Sequence, residues 1–350
     1  MEFSIEKKLL GDDHPPYLIA ELSANHNGSI DRAKKSIQAA KESGAQAVKL
    51  QTYTADTMTI DCDKEGFIIK GGLWDKYKLY DLYQEAHTPF EWHAELFKFA
   101  ADIGITIFST PFDESAVDLL EDLGAPAYKI ASFEITDIPL ISRVAKTKKP
   151  LFMSTGMASE AEIEDAVQTA RSHGAESILL FHCISSYPAP INQANLKQML
   201  LLKDRFEVLV GLSDHTMGAT AAIAATALGA SAIEKHFTLS RDDKGPDSEF
   251  SIEPHELKDL IIRINDSWSG LGSENFERPS AEIGSKAFRR SLYFVKDLKR
   301  GDIVSEQNVR RIRPGFGLPP KFFDELIGLK LAQDVERGDP VSWDTIDREK

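Results

Sequence analysis

Apolar residues gather along this chain in short runs that recur at near-regular intervals: YLIAEL, AVKLQT, TIFST, AYKIAS, LFMSTG, ILLFHC, VLVGLSDH and SAIEKH. Each run has the length of a buried β-strand and is bounded by polar or glycine-containing segments. Between the runs lie stretches with apolar positions three and four apart, such as IDRAKKSIQAAKESG, SAVDLLEDLG, EAEIEDAVQTARSHG and TAAIAATALG. These predict helices, several of them closing on glycine, which takes the left-handed conformation at a helix end without strain. Strand then helix, repeated eight times, predicts an α/β fold of the (β/α)8 TIM-barrel type. An open doubly wound sheet competes with it, but no G-x-G-x-x-G follows the first run, and eight repeats favour closure. One gap between runs is unusually long and predicts an inserted loop over residues 53–89, rich in aromatic residues (GGLWDKYKLYDLYQEAHTPFEW).

The polar residues keep a register with this pattern. Each apolar run ends in groups able to bind or react: Glu21, Lys49 and Gln51, Ser109 and Thr110, Lys129 and Ser132, Ser154 and Thr155, Ser185 and Ser186, Ser213 and His215, Glu234 and His236. The C-terminal ends of barrel strands are where barrel active sites are built. After a last helix, HELKDLIIRINDSWSGLG, the periodicity stops, so residues 1–270 predict the barrel, 271–289 a linker and 290–350 a small second domain. That domain contains an internal echo, DLKRGDIVS and DVERGDPVS. Each copy reads as strand, turn, strand, with Gly-Asp making the turn, and the RGD strings are read as turns rather than adhesion signals.

Charge and cysteine content narrow the function. A formal charge of -14 with no long basic run argues against nucleic acid or an acidic membrane as the main partner. An anionic substrate must therefore find local cations. Only Cys62 and Cys183 are present, which excludes a disulfide scaffold and suits a reducing, cytoplasmic compartment. The N-terminal stretch lacks the apolar core of a signal peptide, and the longest small-apolar stretch, ATAAIAATALGASAI, is too short to span a membrane.

His215 and His236 follow successive strand candidates, so neighbouring strands would bring the two imidazoles together. Two histidines are half of a four-ligand shell, and a metal held there keeps positions open for water or substrate. Ordinary hydrogen-bonded histidines are the alternative. Lys49 and Lys129 sit inside apolar strands, where an unpaired ammonium is costly, so they require anions. Those anions are carboxylates such as Glu21 in one reading. In the other, the lysines join Ser109, Thr110, Ser132, Ser154 and the backbone of residues 154–156 in holding a phosphate and a carboxylate. The turn from Asn25 to Gly28 reads equally as loop chemistry or as part of a site. His87 and His93 are expected to face solvent or cap a helix. Asp247, in GPDSEF, reads as a surface residue or a contact to a sugar hydroxyl.

Taken in order, AELSANHNGS, VKLQTYT, FSTPFD, YKIAS, MSTGMA, SSYP, GLSDHT, IEKHFTL and GPD resemble the sialic acid synthase family over residues 15–347. The loop phrase LWDKYKLYDLYQEAHTPFEW and the tail RIRPGFGL resemble, more narrowly, its pseudaminic acid synthase branch. Residues 290–350 resemble the antifreeze-like (SAF-type) domain of these synthases. The resemblance implies condensation of phosphoenolpyruvate with an acetamido-sugar aldehyde, releasing phosphate. It implies a divalent metal (Mn2+, Co2+ or Mg2+) on His215 and His236. Phosphoenolpyruvate would be held by Lys49, Thr110, Lys129, Ser132, Ser154, Ser185 and Ser213. Glu21 would handle protons or stabilise a cationic intermediate, and Gln51, Tyr187 and Asp247 would contact the sugar. Arg313 would reach the site from a partner subunit, which implies a domain-swapped homodimer. Many family members carry asparagine where this chain has Ser185, which leaves the phosphate contact there open. The same reaction on a different sugar, a pyruvate-using metal-dependent aldolase and a non-catalytic carbohydrate-binding protein are the alternatives.

Overall fold

The computed structural model describes residues 1–71, 74–273 and 275–348. Eight of the apolar runs form parallel strands: β3 (Tyr17–Glu21), β4 (Ala47–Thr52), β5 (Thr106–Pro111), β6 (Tyr128–Ile130), β7 (Leu151–Ser154), β8 (Ile178–His182), β9 (Leu209–Asp214) and β10 (Ala232–His236). They pair in chain order, and β10 closes on β3 to complete the barrel. Strand period sorts the side chains into two populations. Leu18, Ala20, Val48, Leu50, Ile107, Ile130, Met153, Leu180, Val210 and Leu212 point outward into one core shared with the helices. Ile19, Ala47, Phe108, Phe152, Phe181 and Ala232 point inward into another.

Local sequence explains where the helices begin and end. Ser29 caps the helix Ile30–Ser43, whose end is set by Gly44 at φ +102°. Ser159 and Glu162 form a reciprocal capping box at the start of Glu160–Ser172. The alanine-rich helix Thr220–Ala227 buries Ala221, Ala222 and Ala225 and lies against the last barrel helix, Pro254–Leu271. Among the described residues, no helix is long and apolar enough to cross a membrane.

Two features depart from the sequence reading. An antiparallel hairpin, β1 (Glu2–Ile5) with β2 (Lys8–Gly11), precedes the barrel. Its Ile5 and Leu10 are fully buried with the inward-facing phenylalanines, so the hairpin plugs the N-terminal end of the barrel. The runs of three or four residues were too short to register as strands by periodicity. The expected loop 53–89 also carries structure: helices Ala55–Met58, capped by Thr54, and Leu79–Ala86. Gly72 and Leu73 of that loop lie outside the described residues.

The chain divides into two compact units, Met1–Gly272 and Ser273–Lys350. The second holds a helix at Ser280–Ile283, followed by β11 (Ser291–Phe294) paired with β12 (Val309–Ile312) and β13 (Lys330–Leu331) paired with β14 (Ile346–Asp347). Leu292, Phe294, Val304, Val309, Leu326, Leu331 and Val341 form its own core. The sequence echo is a structural one. Lys299 N–H donates to Asp302 Oδ2 and Glu336 N–H donates to Asp339 Oδ2, both at 2.8 Å. Arg300 N–H then reaches Asp334 Oδ1 (2.9 Å) and Arg337 N–H reaches Asp297 Oδ1 (2.8 Å), an exchange between the two copies. Both RGD strings are therefore turns, with Gly301 at φ +88° and Gly338 at φ +102°.

Candidate active site

Two residues beyond the apolar inward layer, the same inward parity delivers charge. Glu21, Lys49, Lys129, Ser213 and Glu234 are all buried within the barrel. Lys49 Nζ lies 2.8 Å from Glu21 Oε2, donates to Thr110 Oγ1 at 2.9 Å and lies 3.7 Å from Glu234 Oε1. Lys129 Nζ donates to Glu234 Oε1 at 3.0 Å and sits over the Phe181 ring. Ser213 Oγ also donates to Glu234 Oε1, at 3.0 Å. Two ammonium groups and two carboxylates thus offset one another in a place where any one alone would be expensive.

The two carboxylates are nonetheless unequal. Burial pushes Glu21 up from the usual glutamate value, and one adjacent lysine does not reverse that. Burial acts on Glu234 too, but Lys129 and Lys49 together outweigh it and hold that carboxyl below the usual range. Lys49, desolvated but facing both carboxylates, is raised; Lys129, whose burial dominates, is lowered. Of the two carboxyls, Glu21 thus has the higher affinity for protons and Glu234 the lower.

Beside this layer the loops after β6, β7 and β8 meet. Ser132 Oγ and Ser185 Oγ are 2.8 Å apart. Gly156 lies against them so closely that a Cβ there would fall 2.3 Å from Ser185 Oγ and 2.8 Å from Cys183 Sγ. Burial raises the Cys183 thiol, which faces Lys129, Ser154, Ser185 and the Gly156 backbone. Hydroxyls, a close backbone and a neighbouring ammonium form a cluster whose chemistry suits a phosphate or carboxylate. Ser185 is part of it.

The histidines stand at the barrel mouth, with ring centroids 5.5 Å apart. His215 Nδ1 donates to the Ile184 carbonyl at 2.9 Å, which leaves Nε2 with its lone pair. His236 Nδ1 is buried without a hydrogen-bond partner, 3.8 Å from Asp247 Oδ2. Burial holds both rings neutral, His215 at about 4 and His236 well below its ordinary value. Neutral adjacent imidazoles with an uncommitted buried nitrogen fit a divalent cation. Among the described residues no third His, Cys, Asp or Glu joins the two rings in a ligand group. Tyr187 packs on His215 at 4.4 Å and against Phe250, and Trp74 of the long loop touches Tyr187 at 5.9 Å.

Several expected residues fall elsewhere. Ser109 shares the outward parity of Ile107 and is bonded to Thr52 Oγ1 at 2.6 Å. Thr52 in turn meets His93 Nε2 at 2.8 Å, so this triad joins strands to the helix Phe90–Ile103 and lies apart from the hydroxyl cluster. His93, expected to face solvent or cap a helix, is fully buried: its Nε2 meets Thr52, and its Nδ1 meets the carbonyl of the N-cap residue Pro89 at 3.0 Å. Gln51 pairs in register with Thr110 on β5 and shares the inward parity of Lys49. Arg313 lies in the second unit, exposed. Sequence reasoning counted Glu234 among the strand ends able to bind or react but gave it no specific part, and it did not name Glu134, whose Oε2 is buried without a partner and whose carboxyl burial raises to about 7. An acid just past the YKIAS strand end was the signal for Glu134; for Glu234 it was the inward parity shared with His236.

Residues 36–276 match the NeuB family and residues 289–347 match the SAF domain. The chain is 46% identical to a pseudaminic acid synthase of Campylobacter jejuni over 329 residues, 94% of this chain and 96% of that one. It is 40% identical to an N,N'-diacetyllegionaminic acid synthase of Campylobacter jejuni, covering 90% of this chain and 95% of the other. The crystal structure of an N-acetylneuraminic acid synthetase from Leptospira borgpetersenii superposes with a TM-score of 0.73 at 30% identity, over 81% of this chain and 95% of that one. The barrel with its charged inner layer and the appended SAF domain therefore belong to a member of the NeuB family, the family of the sialic acid synthases.

Proposed function

We propose that this chain condenses phosphoenolpyruvate with 2,4-diacetamido-2,4,6-trideoxy-beta-L-altropyranose and water to give pseudaminic acid and phosphate, in the cytoplasm. The observation that carries the reading is the juxtaposition of a buried Lys49–Lys129 layer with two neutral histidines at one barrel mouth. Greater similarity to the pseudaminic than to the legionaminic synthase supports the choice of sugar. So does the aromatic lining of Trp74, Tyr187 and Phe250, which suits a 6-deoxy carbon and acetamido methyls.

Lys49, Lys129 and Thr110 hold the carboxylate end of phosphoenolpyruvate, and Ser132, Ser154, Ser185 and Ser213 hold its phosphate end. C3 of phosphoenolpyruvate forms a bond to C1 of the open-chain sugar, water adds at C2, and the resulting tetrahedral centre expels phosphate by C–O cleavage. Glu21 takes the proton from the added water, a role its raised affinity for protons permits. A divalent ion, Mn2+, Co2+ or Mg2+, held by His215 and His236 would polarise the sugar's carbonyl oxygen. Gln51, Tyr187 and Asp247 orient the sugar, and Arg313 of a second copy completes the site in a domain-swapped homodimer. Charge supports that last element. Residues 273–350 hold 15 Lys and Arg against 14 Asp and Glu, so of the total of -14 the first 272 residues carry -15. Arg289, Arg290, Arg310, Arg311 and Arg313 lie exposed on the second unit, ready for an acidic partner surface.

Phosphate release from phosphoenolpyruvate, followed with each candidate sugar, tests the reading. Release is expected with the diacetamido-altrose, lost on chelation and restored by Mn2+. Equal rates with N-acetylmannosamine would overturn the choice of sugar, and release without any sugar would overturn the reaction.

A further inference from the structure

The Asn-rich turn after β3 is left unused by the reaction above, and its residues divide into two kinds. Asn27 (φ +48°) and Gly28 (φ +68°) take left-handed turn conformations. Asn25 is different: it is 1% exposed, and its side chain is bonded entirely to a segment more than two hundred residues away. Asn25 Nδ2 donates to the Phe237 carbonyl and to Ser251 Oγ, both at 2.9 Å. Its Oδ1 accepts from Ser248 Oγ at 3.1 Å. The Phe237 carbonyl can only accept, so the orientation of the amide is fixed. Ser251, having accepted from Asn25, donates its own hydroxyl hydrogen bond to the Asp247 carbonyl at 2.6 Å.

The contact continues outward. Arg32 Nε donates to the Asn25 carbonyl at 2.8 Å, and its guanidinium pairs with Asp243 at 2.6 Å. Gly245 has no room for a side chain, since a Cβ there would fall 2.1 Å from Asn27 Oδ1. The segment so fastened, 237–252, holds only single 3-10 turns, Arg241–Asp243 and Ser248–Phe250, and has little regular structure of its own. It carries Asp247, 3.8 Å from His236 Nδ1, and Phe250, whose ring lies 4.9 Å from that of His236.

We infer that Asn25 is a positioning residue for the reaction: it latches segment 237–252 so that Asp247 and Phe250 form a preset wall beside His236, on the sugar side of the site. The inference rests on the reading of Asp247 as a sugar contact. Its physical basis is that a flexible wall must be ordered when substrate binds, whereas a latched one is ordered on folding.

Hydrogen exchange on the full-length chain reads the latch by itself, and steady-state kinetics with phosphoenolpyruvate and the diacetamido sugar reads its consequence. Asn25→Asp keeps the shape but sets an oxygen against the Phe237 carbonyl. It and Asn25→Ala are expected to speed amide exchange across 237–252 by about tenfold or more. The KM for the sugar should rise about tenfold, while that for phosphoenolpyruvate stays within about twofold. Asn25→Ala combined with Asp247→Ala should lose clearly less than the product of the two single losses, because the first acts in part through the second. Unchanged exchange, a parallel rise in both KM values or fully additive losses would overturn the inference. Should the Asn25 variants not fold, Ser251→Ala removes one link and should shift exchange and sugar KM in the same direction by a smaller factor. An Asp247→Ala variant with unchanged sugar KM would overturn the sugar-side reading of Asp247, while failure of the latch shows in exchange.

Discussion

Within the barrel, two layers built by the same strands and facing the same way have opposite contents. The layer nearer the N-terminal end is Ile19, Ala47, Phe108, Phe152, Phe181 and Ala232, sealed beneath by Ile5 and Leu10 of the hairpin. One strand period further on, the layer is Glu21, Lys49, Thr110, Lys129, Ser154, Ser213 and Glu234. The first removes apolar surface from water at about 25 cal/mol per Å2 and stabilises the fold. The second desolvates four charges, and their mutual attraction only offsets that cost. Folding gains little from the upper layer. Its charge in so apolar a setting, at the strand ends where barrel sites are built, supports the chemical use proposed for it.

Substitutions in the two layers should therefore separate activity from stability. The largest effect is expected at the mouth: His215→Ala should lower turnover by about 1000-fold or more, with a melting temperature close to that of the parent. Kinetics at saturating Mn2+ together with calorimetry checks this, and a matching collapse in melting temperature would erase the distinction between layers. Phe152→Ala, in the apolar layer, should cost about 3–5 kcal/mol in denaturant unfolding, because a ring packed between Phe108 and Phe181 leaves a cavity.

The charged layer sharpens the comparison through a double substitution. Glu234→Leu with Lys129→Met should leave stability within about 1–2 kcal/mol of the parent, or above it, while abolishing turnover. Glu234→Ala alone strands Lys129 without its carboxylate and should be clearly less stable than the double variant. The smallest effect is a pH dependence above the layers. Burial, reinforced by His87, holds His26 at about 4, below its ordinary 6.5. Unfolded chains then bind a proton that the folded chain does not, so stability should fall as pH drops from about 6.5 to about 4. His26→Gln should flatten that window by about 2 kcal/mol at most, and unfolding titrations at pH 4.5 and 7 measure it.

The barrel was legible because eight apolar runs with inward and outward parity have few other ways to bury both faces. The buried charged layer was legible because Lys49 and Lys129 stand out inside such runs and require anions, which Glu21 and Glu234 supply. Ser109 shows the limit of that signal: a hydroxyl next to Thr110 in sequence lies on the opposite side of the strand, bonded into the Thr52–His93 triad. His93 misled for the same reason, since its partner comes from a strand about forty residues earlier. The N-terminal hairpin was missed because four-residue strands carry too few positions for a period to show.

The sequence alone determined the repeat, the strand-end register and the presence of two histidines and two lysines with no local partners. Periodicity and composition are local quantities, and these are local facts. Which carboxylate each lysine meets, why Glu21 rather than Glu234 gains affinity for protons, and what Asn25 holds were decided only by tertiary structure. Those depend on distances between residues as far apart as Lys129 and Glu234, or Asn25 and Ser251, set when the barrel closes. Electrostatic and hydrogen-bond energies fall off within a few ångströms, so a one-residue change in register would have given a different site from the same letters.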